Sequence, residues 1–374
     1  MAERFSLKDH LFNADKVAYL GGLLAHGMPG FDRSRFESEV MARLQELELK
    51  ARIDHIADVL SRHLSADFTV AADQIRASLP PPLDPTLTDD DFGDFIIAPL
   101  GKYVEDHGMG HYETSLVLIR ELTMRFSMEG PVRPFINDRP EETLELFARW
   151  AVDENYHVRR LVSESTRPRL PWAPRIDLEV RAPLPLLDKL HSDPTRYVTR
   201  SVANHLNDIS KIEPGLVVVS LDRWQTLRAQ DQGELDWMTR HALRTLLKQG
   251  DPAAMEAVGL SSEPDVELGL IDLATPLVRP GEALGFSVPI RSAVDQTLMV
   301  DYVIDFVKNN GGTGPRVFRL RKLSLEAGES VTLTKRHLVR SDATTYRLYP
   351  GTHRVTVVVN GKPFSSAEFD VETE

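Results

Sequence analysis

Apolar residues recur at helical spacing through the first two thirds of the chain. Between residues 31 and 79 they recur every three or four positions, from Phe36 through Leu60, which predicts helix over this stretch. Three consecutive prolines end it, and an acidic loop reaching Asp94 follows. From Phe95 to about Leu260, apolar segments alternate with short breaks, which predicts antiparallel neighbouring helices. The breaks lie at residues 106–110, 137–140, 153–156, 191–195, 213–215, 229–234 and 250–252.

The hydrophobic period changes near residue 262. Apolar residues then alternate in segments such as Val266–Leu268–Leu270 and His353–Val355–Val357–Val359, with four more segments of this kind between them. Asn360 and Gly361 follow the last segment and predict a tight hairpin turn. Seven short strands in about 110 residues are typical of an immunoglobulin-like β-sandwich. We therefore divide the chain into residues 1–261 and 262–374.

One helical motif recurs at a spacing of forty residues. It reads His157-Val-Arg-Arg160, then Tyr197-Val-Thr-Arg200, then Trp237-Met-Thr-Arg240. A helical pattern with a period of roughly 40 is typical of stacked helix pairs. The sequence therefore predicts a mainly α structure of helical repeats, clearest over residues 94–250, followed by the β-sandwich.

The same motif places polar residues on one helical face. Residues four apart share a face of a helix. On that basis Arg160 aligns with Glu164, Arg200 with Asn204 and Asp208, and Arg240 with Arg244 and Lys248. We predict a ladder of cations that contains two carboxylates, opposite a buried apolar stripe. In helical solenoids such ladders also tie one repeat to the next, and that structural alternative remains open for each rung.

A rigid loop is predicted directly after the first motif helix. It reads Arg167-Pro-Arg169-Leu-Pro-Trp172, and its two prolines cannot continue a helix. Two arginines and a tryptophan on such a loop suit contacts with phosphate and with a sugar or base face. The alternative is that Trp172 packs beneath the loop.

Charge is unevenly distributed along the chain. The formal net charge of −12 argues, taken alone, against a nucleic-acid partner. Residues 1–100 carry a net charge of −7, whereas residues 155–248 carry +4. Residues 315–340 contain seven Lys and Arg against two Glu. Local patches set the field that a phosphate backbone meets, so the motif helices remain candidates for DNA binding.

The composition also excludes several kinds of chemistry. The chain has no cysteine, which excludes disulfides, cysteine-ligated metals and thiol catalysis and suits a cytoplasmic protein. No stretch approaches the ~20 apolar residues that span a membrane. The sequence also contains neither a phosphate-cradling glycine loop nor a serine nucleophile elbow. We expect no cofactor, no metal, no membrane contact and a monomer.

Six segments resemble the AlkC branch of the AlkC/AlkD bacterial alkylpurine DNA glycosylases. They are residues 120–126, 132–136, 157–164, 166–174, 198–211 and 240–250. The resemblance covers about residues 5 to 260, and the Arg-Pro-Arg-Leu-Pro-Trp block is its specific part. It implies HEAT-like repeats, and a C-terminal immunoglobulin-like domain also occurs in some members of this branch.

The resemblance implies a monofunctional DNA glycosylase of base excision repair. Its members remove cationic N3-alkylated bases, typically 3-methyladenine and, in the AlkC branch, 3-methylcytosine. It implies that Glu121, Glu164 and Asp208 are the active-site carboxylates and that Trp172 is an aromatic wall. It further implies that the lesion stays stacked in the duplex, which suits a shallow face without a deep pocket. Ser165 stands where typical members have glycine.

The residue types fit this chemistry independently. A cationic base is already a good leaving group, so a carboxylate needs only to stabilise the sugar cation and orient a water molecule. Without a lysine beside Glu164, lyase activity is not expected. A catalytically silent DNA-binding relative and a protein-interaction scaffold are the alternatives.

We expect DNA contacts from cations and one amide on the helical repeats. They are Arg125, Arg159, Arg160, Arg167, Arg169, Arg200, Asn204, Lys211, Arg240, Arg244 and Lys248. In the sandwich, Arg319, Arg321, Lys335 and Arg336 line one edge if their two strands pair with each other. Such an edge is predicted to complete a clamp around double-stranded DNA.

Overall fold

The computed structural model describes residues 6–87, 89, 92–340 and 347–372. The α-helices of this part are α1 (Leu7–Leu11), α2 (Ala14–Gly27), α3 (Arg33–Leu44), α4 (Leu49–His63), α5 (Phe68–Ala77), α6 (Ala98–His107), α7 (Tyr112–Thr123), α8 (Arg133–Asp138), α9 (Pro140–Trp150), α10 (Tyr156–Ser165), α11 (Leu184–Leu190), α12 (Arg196–Ile209), α13 (Pro214–Leu227), α14 (Gln232–Ala242), α15 (Arg244–Gln249) and α16 (Pro252–Ala257). The strands are β1 (Val266–Leu268), β2 (Asp272–Leu273), β3 (Leu277–Val278), β4 (Ala283–Ser292), β5 (Gln296–Val307), β6 (Thr313–Leu325), β7 (Ser330–Leu338), β8 (Gly351–Val359) and β9 (Lys362–Val371).

The helical stretch predicted over residues 31–79 consists of three helices, α3, α4 and α5. Aspartates cap the N-termini of two of these helices. The side chains of Asp32 and Asp67 accept hydrogen bonds from backbone N–H groups of α3 and α5, respectively. Such caps satisfy donors that have no partner within the helix. The stretch is helical as predicted, but apolar spacing alone does not show the caps that divide it into three helices. Each of the seven predicted breaks, by contrast, coincides with a junction between helices.

The described chain forms two compact units. The first comprises Met1–Ile212 with Leu227–Met238, and the second comprises Glu213–Thr226 with Thr239–Glu374. Helices precede residue 262 and strands follow it, but the compact units divide at other positions. No helix in the described ranges is long and apolar enough to cross a membrane.

In the first unit, helices pack on helices two or three positions away in sequence as well as on adjacent ones. Helix α4 packs on α6, α10 on α12, and α7 on both α5 and α10. The predicted apolar stripe of α10 and α12 is buried; it comprises Val158, Leu161, Val162, Val198, Val202, Leu206 and Ile209. The orientation predicted for these two helices is therefore confirmed.

An ion pair repeats between successive helices of this unit. Arg120 of α7 lies 2.8 Å from Asp153, and Arg159 of α10 lies 2.5 Å from Asp193. The two aspartates precede α10 and α12, and each also accepts a hydrogen bond from the backbone N–H two residues further on. Each aspartate thus connects the N-terminus of one helix to an earlier helix. The two ion pairs are separated along the chain by nearly the forty-residue period of the motif.

The second unit contains two β-sheets. In one, β1, β2 and β7 pair with β4; in the other, the strand order is β3-β9-β8-β5-β6. Apolar side chains of both sheets form a shared core that includes Val288, Ile290, Val300, Val357 and Phe369. The described strands number nine, two more than the predicted seven, and β2 and β3 have only two residues each, which is too short for an alternating pattern to show.

The predicted turn at Asn360 and Gly361 joins β8 to β9. Their φ angles are 45° and 82°, as a type I′ turn requires. Gly361 also lies against Gly250, which follows α15, and a Cβ atom on Gly361 would lie 2.2 Å from the Gly250 Cα. Glycine is therefore required in the turn, both for its backbone conformation and for this close approach.

The two basic strands of the sandwich belong to different sheets. Strand β6 pairs with β5, and β7 pairs with β4. The condition set for a single basic edge, that the two strands pair with each other, is therefore not met, because an alternating pattern does not specify the partner of a strand. Each is nevertheless an edge strand of its own sheet.

Candidate active site

Glu164 lies in a cluster of buried charges at the end of α10 and is 5% exposed. Its Oε1 accepts a hydrogen bond of 2.5 Å from Arg167 Nη1, and its Oε2 accepts one of 2.7 Å from Ser201 Oγ. Arg160 Nη2 lies 3.6 Å from Oε2. Burial acts to raise the pKa of Glu164, but the two arginines and Ser201 outweigh it and lower the pKa below its usual value. The buried group is therefore a carboxylate anion.

Arg167 joins Glu164 to Asp208. Its Nε donates to Asp208 Oδ2 at 2.9 Å while its Nη1 donates to Glu164. Asp208 is 3% exposed and also lies 3.0 Å from Lys211 Nζ. The planar fork of an arginine suits such double recognition. One guanidinium therefore brings together two of the three predicted active-site carboxylates, and Lys211 adds a lysine to the cluster that sequence reasoning did not place there.

A second buried arginine supports the loop that follows α10. Arg133 of α8 is 1% exposed, and its Nη2 donates to the backbone carbonyl of Arg167 at 2.6 Å. Burial, together with the adjacent Arg167, lowers the pKa of Arg133 to about 10, so it remains a cation at neutral pH. Sequence reasoning missed Arg133, and its one available signal was its place in the 132–136 segment.

Trp172 projects from this loop. It is 78% exposed, so the alternative that it packs beneath the loop is excluded. Its φ of 68° is uncommon for a bulky residue, and such backbone strain is concentrated at functional sites. Lys50 Nζ donates to its carbonyl at 3.4 Å. The hydrogen bond anchors the backbone of Trp172, and its indole ring is accessible to a ligand.

Glu121, the third predicted carboxylate, lies in α7. Its Oε2 accepts a hydrogen bond of 3.1 Å from Arg125 Nη1, and Arg120 lies 3.7 Å from its Oε1. Among the described residues, no hydrogen bond or ion pair connects Glu121 to Glu164 or Asp208. Its side chain is 28% exposed, against 6% and 5% for the other two carboxylates, so it is the most accessible to water.

One rung of the predicted cation ladder, Arg160, and a further predicted DNA contact, Arg159, have structural roles. Arg160 is buried; it donates to Ser127 Oγ at 2.6 Å and stacks over the Tyr197 ring. Arg159 is held by Asp193 in the repeating ion pair described above. The motif predicted an exposed basic surface, but neither arginine presents its charge on one. Sequence spacing placed Arg160 and Glu164 side by side correctly but did not show that the pair is buried.

Other predicted DNA contacts of the helical unit are more accessible. Arg169 is exposed and makes no hydrogen bond or ion pair with any described residue. The Arg200 side chain is 30% exposed and pairs with Asp89 of the acidic loop. Lys211 is exposed beside Asp208, and Asn204 is half-buried on the same helix as Arg200. Arg125 is mostly buried and donates to the carbonyl of Pro80 at 2.8 Å.

The last rung lies in the second compact unit. Arg240 and Lys248 are exposed there, whereas Arg244 is half-buried and donates to the His241 carbonyl at 2.5 Å. The forty-residue register of the arginines thus extends over two compact units.

His205 of α12 completes the buried polar groups near Glu164. Its Nδ1 lies 3.0 Å from the Ser163 carbonyl, and the residue has no exposed surface. Burial, with a further contribution from Arg167, lowers the pKa of His205 to about 4. The imidazole is therefore neutral at physiological pH.

Comparison with known proteins identifies relatives of both parts of the chain. Residues 268–373 match a family model described as the C-terminal immunoglobulin-like domain of the uncharacterised protein YhaZ. YhaZ of Bacillus subtilis (strain 168) is 32% identical over 367 residues, which cover 96% of this chain and 98% of that one. The predicted immunoglobulin-like character of the sandwich is thereby confirmed.

A solved structure resembles the whole chain. It is the alkylpurine DNA glycosylase AlkC of Pseudomonas fluorescens, bound to DNA that contains an abasic site analogue. The two chains are 31% identical, with a TM-score of 0.87, and the match covers 98% of this chain and 100% of the other. Both similarities extend over nearly the full length. The chain therefore belongs to the AlkC-type family of alkylpurine DNA glycosylases, as its repeated motif and Arg-Pro-Arg-Leu-Pro-Trp loop predicted.

Proposed function

We propose that this protein is a monofunctional DNA glycosylase that excises cationic N3-alkylated bases, 3-methyladenine and 3-methylcytosine, from double-stranded DNA. The observation that carries the proposal is the buried pair of carboxylates bridged by Arg167, from which the loop with exposed Trp172 departs. Full-length similarity to AlkC, whose structure contains abasic-site DNA, supports DNA as the partner.

The proposed reaction breaks the bond between the deoxyribose C1′ and the base nitrogen. The bonding electron pair goes to the base and neutralises its positive charge, so no acid is needed to protonate the base. A water oxygen forms the new bond to C1′, and the proton of that water passes to a carboxylate or to solvent. The protein mainly stabilises the positive charge that develops on the sugar, as preorganised charges do in other enzymes.

The environments of the carboxylates suggest different roles. Glu164 has a lowered pKa and is therefore a weak base, but its fixed negative charge stabilises a sugar cation. Asp208 adds a second negative charge at the other side of Arg167. Glu121 is the most exposed of the three, which suits contact with the attacking water. We assign electrostatic stabilisation to Glu164 and Asp208 and water orientation to Glu121.

The absence of lyase activity is part of this proposal. A lyase needs a neutral amine that attacks C1′. Lys211 is the lysine beside the cluster, and its ammonium is paired with Asp208 at 3.0 Å. An ammonium held in an ion pair has no free lone pair, so it is not a nucleophile.

We infer that the helical unit is built from HEAT-like repeats. Packing of α10 on α12 and of α7 on α10, together with the recurring Arg–Asp pairs, supports repeats of about forty residues. Arg169, Arg200 and Lys211 are its proposed phosphate contacts. The exposed Arg240 and Lys248 and the basic edge strands β6 and β7 supply further contacts from the second unit.

A direct test uses duplex DNA with a single 3-methyladenine or 3-methylcytosine. The proposal predicts release of the free base and an abasic strand that stays intact until it is treated with alkali. Strand cleavage without alkali would contradict the monofunctional assignment. Salt-dependent DNA binding without base release would support a silent DNA-binding relative.

A further inference from the structure

Two serine hydroxyls are buried where α10 packs on α12, directly beside Glu164. Ser163 belongs to α10 and Ser201 to α12, and both residues are buried. Their Oγ atoms lie 3.0 Å apart, and Ser201 Oγ lies 2.7 Å from Glu164 Oε2. The proposed mechanism gives neither serine a role.

The direction of these two hydrogen bonds follows from the chemistry of the groups. An ionised carboxylate can only accept, so Ser201 donates its one hydroxyl proton to Glu164. Ser201 Oγ is then the acceptor towards Ser163, whose hydroxyl donates to it. A hydrogen bond that ends on an anion is shorter and stronger than a neutral one. The two hydroxyls therefore form a short chain that ends on the carboxylate.

Ser201 occupies the oxygen of Glu164 that Arg167 leaves open. Arg167 Nη1 donates to Oε1 at 2.5 Å, while its Nε and Nη2 lie 2.9 and 2.8 Å from Asp208 Oδ2. An arginine frequently binds both oxygens of one carboxylate through two parallel N–H groups. Because Ser201 holds Oε2, Arg167 instead divides its donors between two carboxylates.

Ser201 is a neutral donor among charged and aromatic neighbours of Glu164. The titratable groups around this carboxylate are Arg133 of α8, Arg160 of α10, Arg167 of the loop, and Tyr197, His205 and Asp208 of α12. Burial acts to raise the pKa of Glu164, and Arg160, Arg167 and the Ser201 hydrogen bond lower it. Loss of the hydroxyl therefore raises this pKa without removing a charge.

We propose that Ser201 is a positioning residue for base excision and that the hydroxyl of Ser163 orients it. This role rests on the proposed glycosylase function and deepens it, because it identifies what directs the negative charge of Glu164. Without the Ser201 donor, the carboxylate turns both oxygens towards Arg167, and its charge is neutralised in an internal ion pair. With the donor, the charge stays preorganised for the sugar cation. Because Ser201 is buried, it acts through Glu164 and not by touching the DNA.

Ser201→Ala removes the donor and keeps a small side chain between the helices. We expect the single-turnover rate of 3-methyladenine release to fall at least about tenfold, as for the loss of one hydrogen bond to a charged group. The affinity for the same duplex with an abasic site analogue should be unchanged. Ser165→Ala is the matched control, because Ser165 is also buried but its Oγ donates to the Leu161 carbonyl of its own helix. It should keep the wild-type rate.

Ser163→Ala tests the first hydroxyl of the chain. It leaves the proton of Ser201 in place and removes the group that orients it. We expect the rate of base release to fall by about threefold, as for the loss of one neutral hydrogen bond. Urea denaturation checks that each variant is folded. If Ser201→Ala is unfolded, Ser163→Ala decides alone, and a wild-type rate in Ser163→Ala would overturn the proposal.

The pH dependence of the rate distinguishes positioning from packing. The Ser201 hydrogen bond lowers the pKa of Glu164, so in Ser201→Ala the anion is lost at a higher pH. As the solution is made more acidic, we expect the rate of Ser201→Ala to begin its decline at a higher pH than that of the wild type. The profile of Ser165→Ala should coincide with the wild-type profile. A packing defect would lower the rate by the same factor at every pH.

The proposed function and the role of Ser201 fail separately in this experiment. Base release by the wild type with an equal rate in Ser201→Ala would overturn the role of Ser201 and leave the glycosylase function intact. A slower Ser201→Ala whose pH profile runs parallel to the wild-type profile, or whose DNA affinity falls by the same factor as its rate, would assign Ser201 to packing and also overturn that role. Absence of base release by the wild type would refute the glycosylase function, and with it the role of Ser201.

Discussion

The buried charges around Glu164 depend on one another. Arg167 donates to Glu164 and to Asp208, and the side chain of each carboxylate is at most 6% exposed. A carboxylate buried without its partner is costly, and removing one member of a buried ion pair typically costs about 3–5 kcal/mol. The stability of this part of the molecule is therefore expected to depend on a single guanidinium.

Arg167→Ala tests this dependence. We expect it to lower the free energy of unfolding by about 3–5 kcal/mol, measured by urea denaturation, and to reduce base release at the same time. Arg169→Ala, two residues further along the same loop, is the matched control, because Arg169 is exposed. Equal stability of the two variants would show that the bridge contributes little.

His205 gives the stability a defined pH dependence. Its pKa is about 4 in the folded chain and about 6.5 in the unfolded one, so the unfolded state binds the proton first. The contribution of His205 to the free energy of unfolding is fully present above pH 6.5. As the pH falls from 6.5 towards 4, this contribution decreases by about 3 kcal/mol in total. We expect His205→Gln to flatten the decline in unfolding free energy over this range. The control variant His26→Gln, at an exposed histidine, should keep the wild-type slope of unfolding free energy against pH. An equal slope in the wild-type protein and both variants would contradict this account.

Sequence reasoning selected some of the candidate site residues that the structure brings together and missed others for a physical reason. Glu164, Asp208 and Trp172 stand in motifs whose residue types are informative in themselves. The burial of Arg160 depends on Glu129 and Tyr197, which are far from it in sequence and bear no recognisable spacing. A helical face can be predicted from periodicity, but what covers that face cannot.

At the scale of elements, the recurring Arg–Asp pairs and the exposed cations serve different purposes. Arg159 is held between Asp193 and backbone carbonyls at the start of α10, whereas Arg169 is exposed on the loop. Charges already neutralised inside the structure do not displace counterions from DNA. Exposed cations do displace counterions, and each phosphate contact contributes about one unit to the slope of log K against log salt concentration.

The comparison of Arg159→Ala with Arg169→Ala separates these purposes. We expect Arg169→Ala to reduce the slope of log K against log salt by about one unit and to leave stability unchanged. Arg159→Ala should keep the slope and lower the free energy of unfolding by about 3 kcal/mol. A reduced slope in Arg159→Ala, with the fold intact, would mean that Arg159 contacts DNA after all.

Element boundaries could be predicted where a local signal exists. The junctions after His107, Leu190 and Gln249 carry glycine, aspartate or proline, whose conformational preferences act within a few residues. The pairing of β6 with β5, and not with β7, is decided by the packing of two sheets. No local property of β6 encodes that choice, so the alternating pattern indicates a strand there but not the strand with which it pairs.

At the scale of the whole molecule, an acidic protein is proposed to bind an acidic polymer. The net charge is −12, yet edge strands β6 and β7 carry several exposed cations, among them Arg321, Lys322 and Arg336. Binding then depends on local fields and is expected to weaken steeply with salt. We propose that the sandwich contributes through phosphate contacts that do not read sequence.

Replacing Arg321, Lys322 and Arg336 together by alanine tests the contribution of the sandwich in the intact chain. All three are exposed on edge strands. We expect weaker DNA binding and a salt slope reduced by up to about three units, with an unchanged fold. The double variant Arg279→Ala and Arg291→Ala, which removes exposed cations elsewhere in the sandwich, is the control. Equal affinities of the two variants would assign the basic edges another role.

The central claim is that the buried carboxylates of the Arg167 cluster drive base excision. Glu164→Gln keeps the shape of the side chain and removes its charge, so it tests this claim most directly. The measurement is the single-turnover rate of 3-methyladenine release from a duplex, together with the affinity for the same duplex containing an abasic site analogue. We predict a rate at least about a hundredfold lower, as for the loss of one strong electrostatic contact in other enzymes, with DNA affinity nearly unchanged. A Glu164→Gln protein that releases the base at close to the wild-type rate would contradict the account.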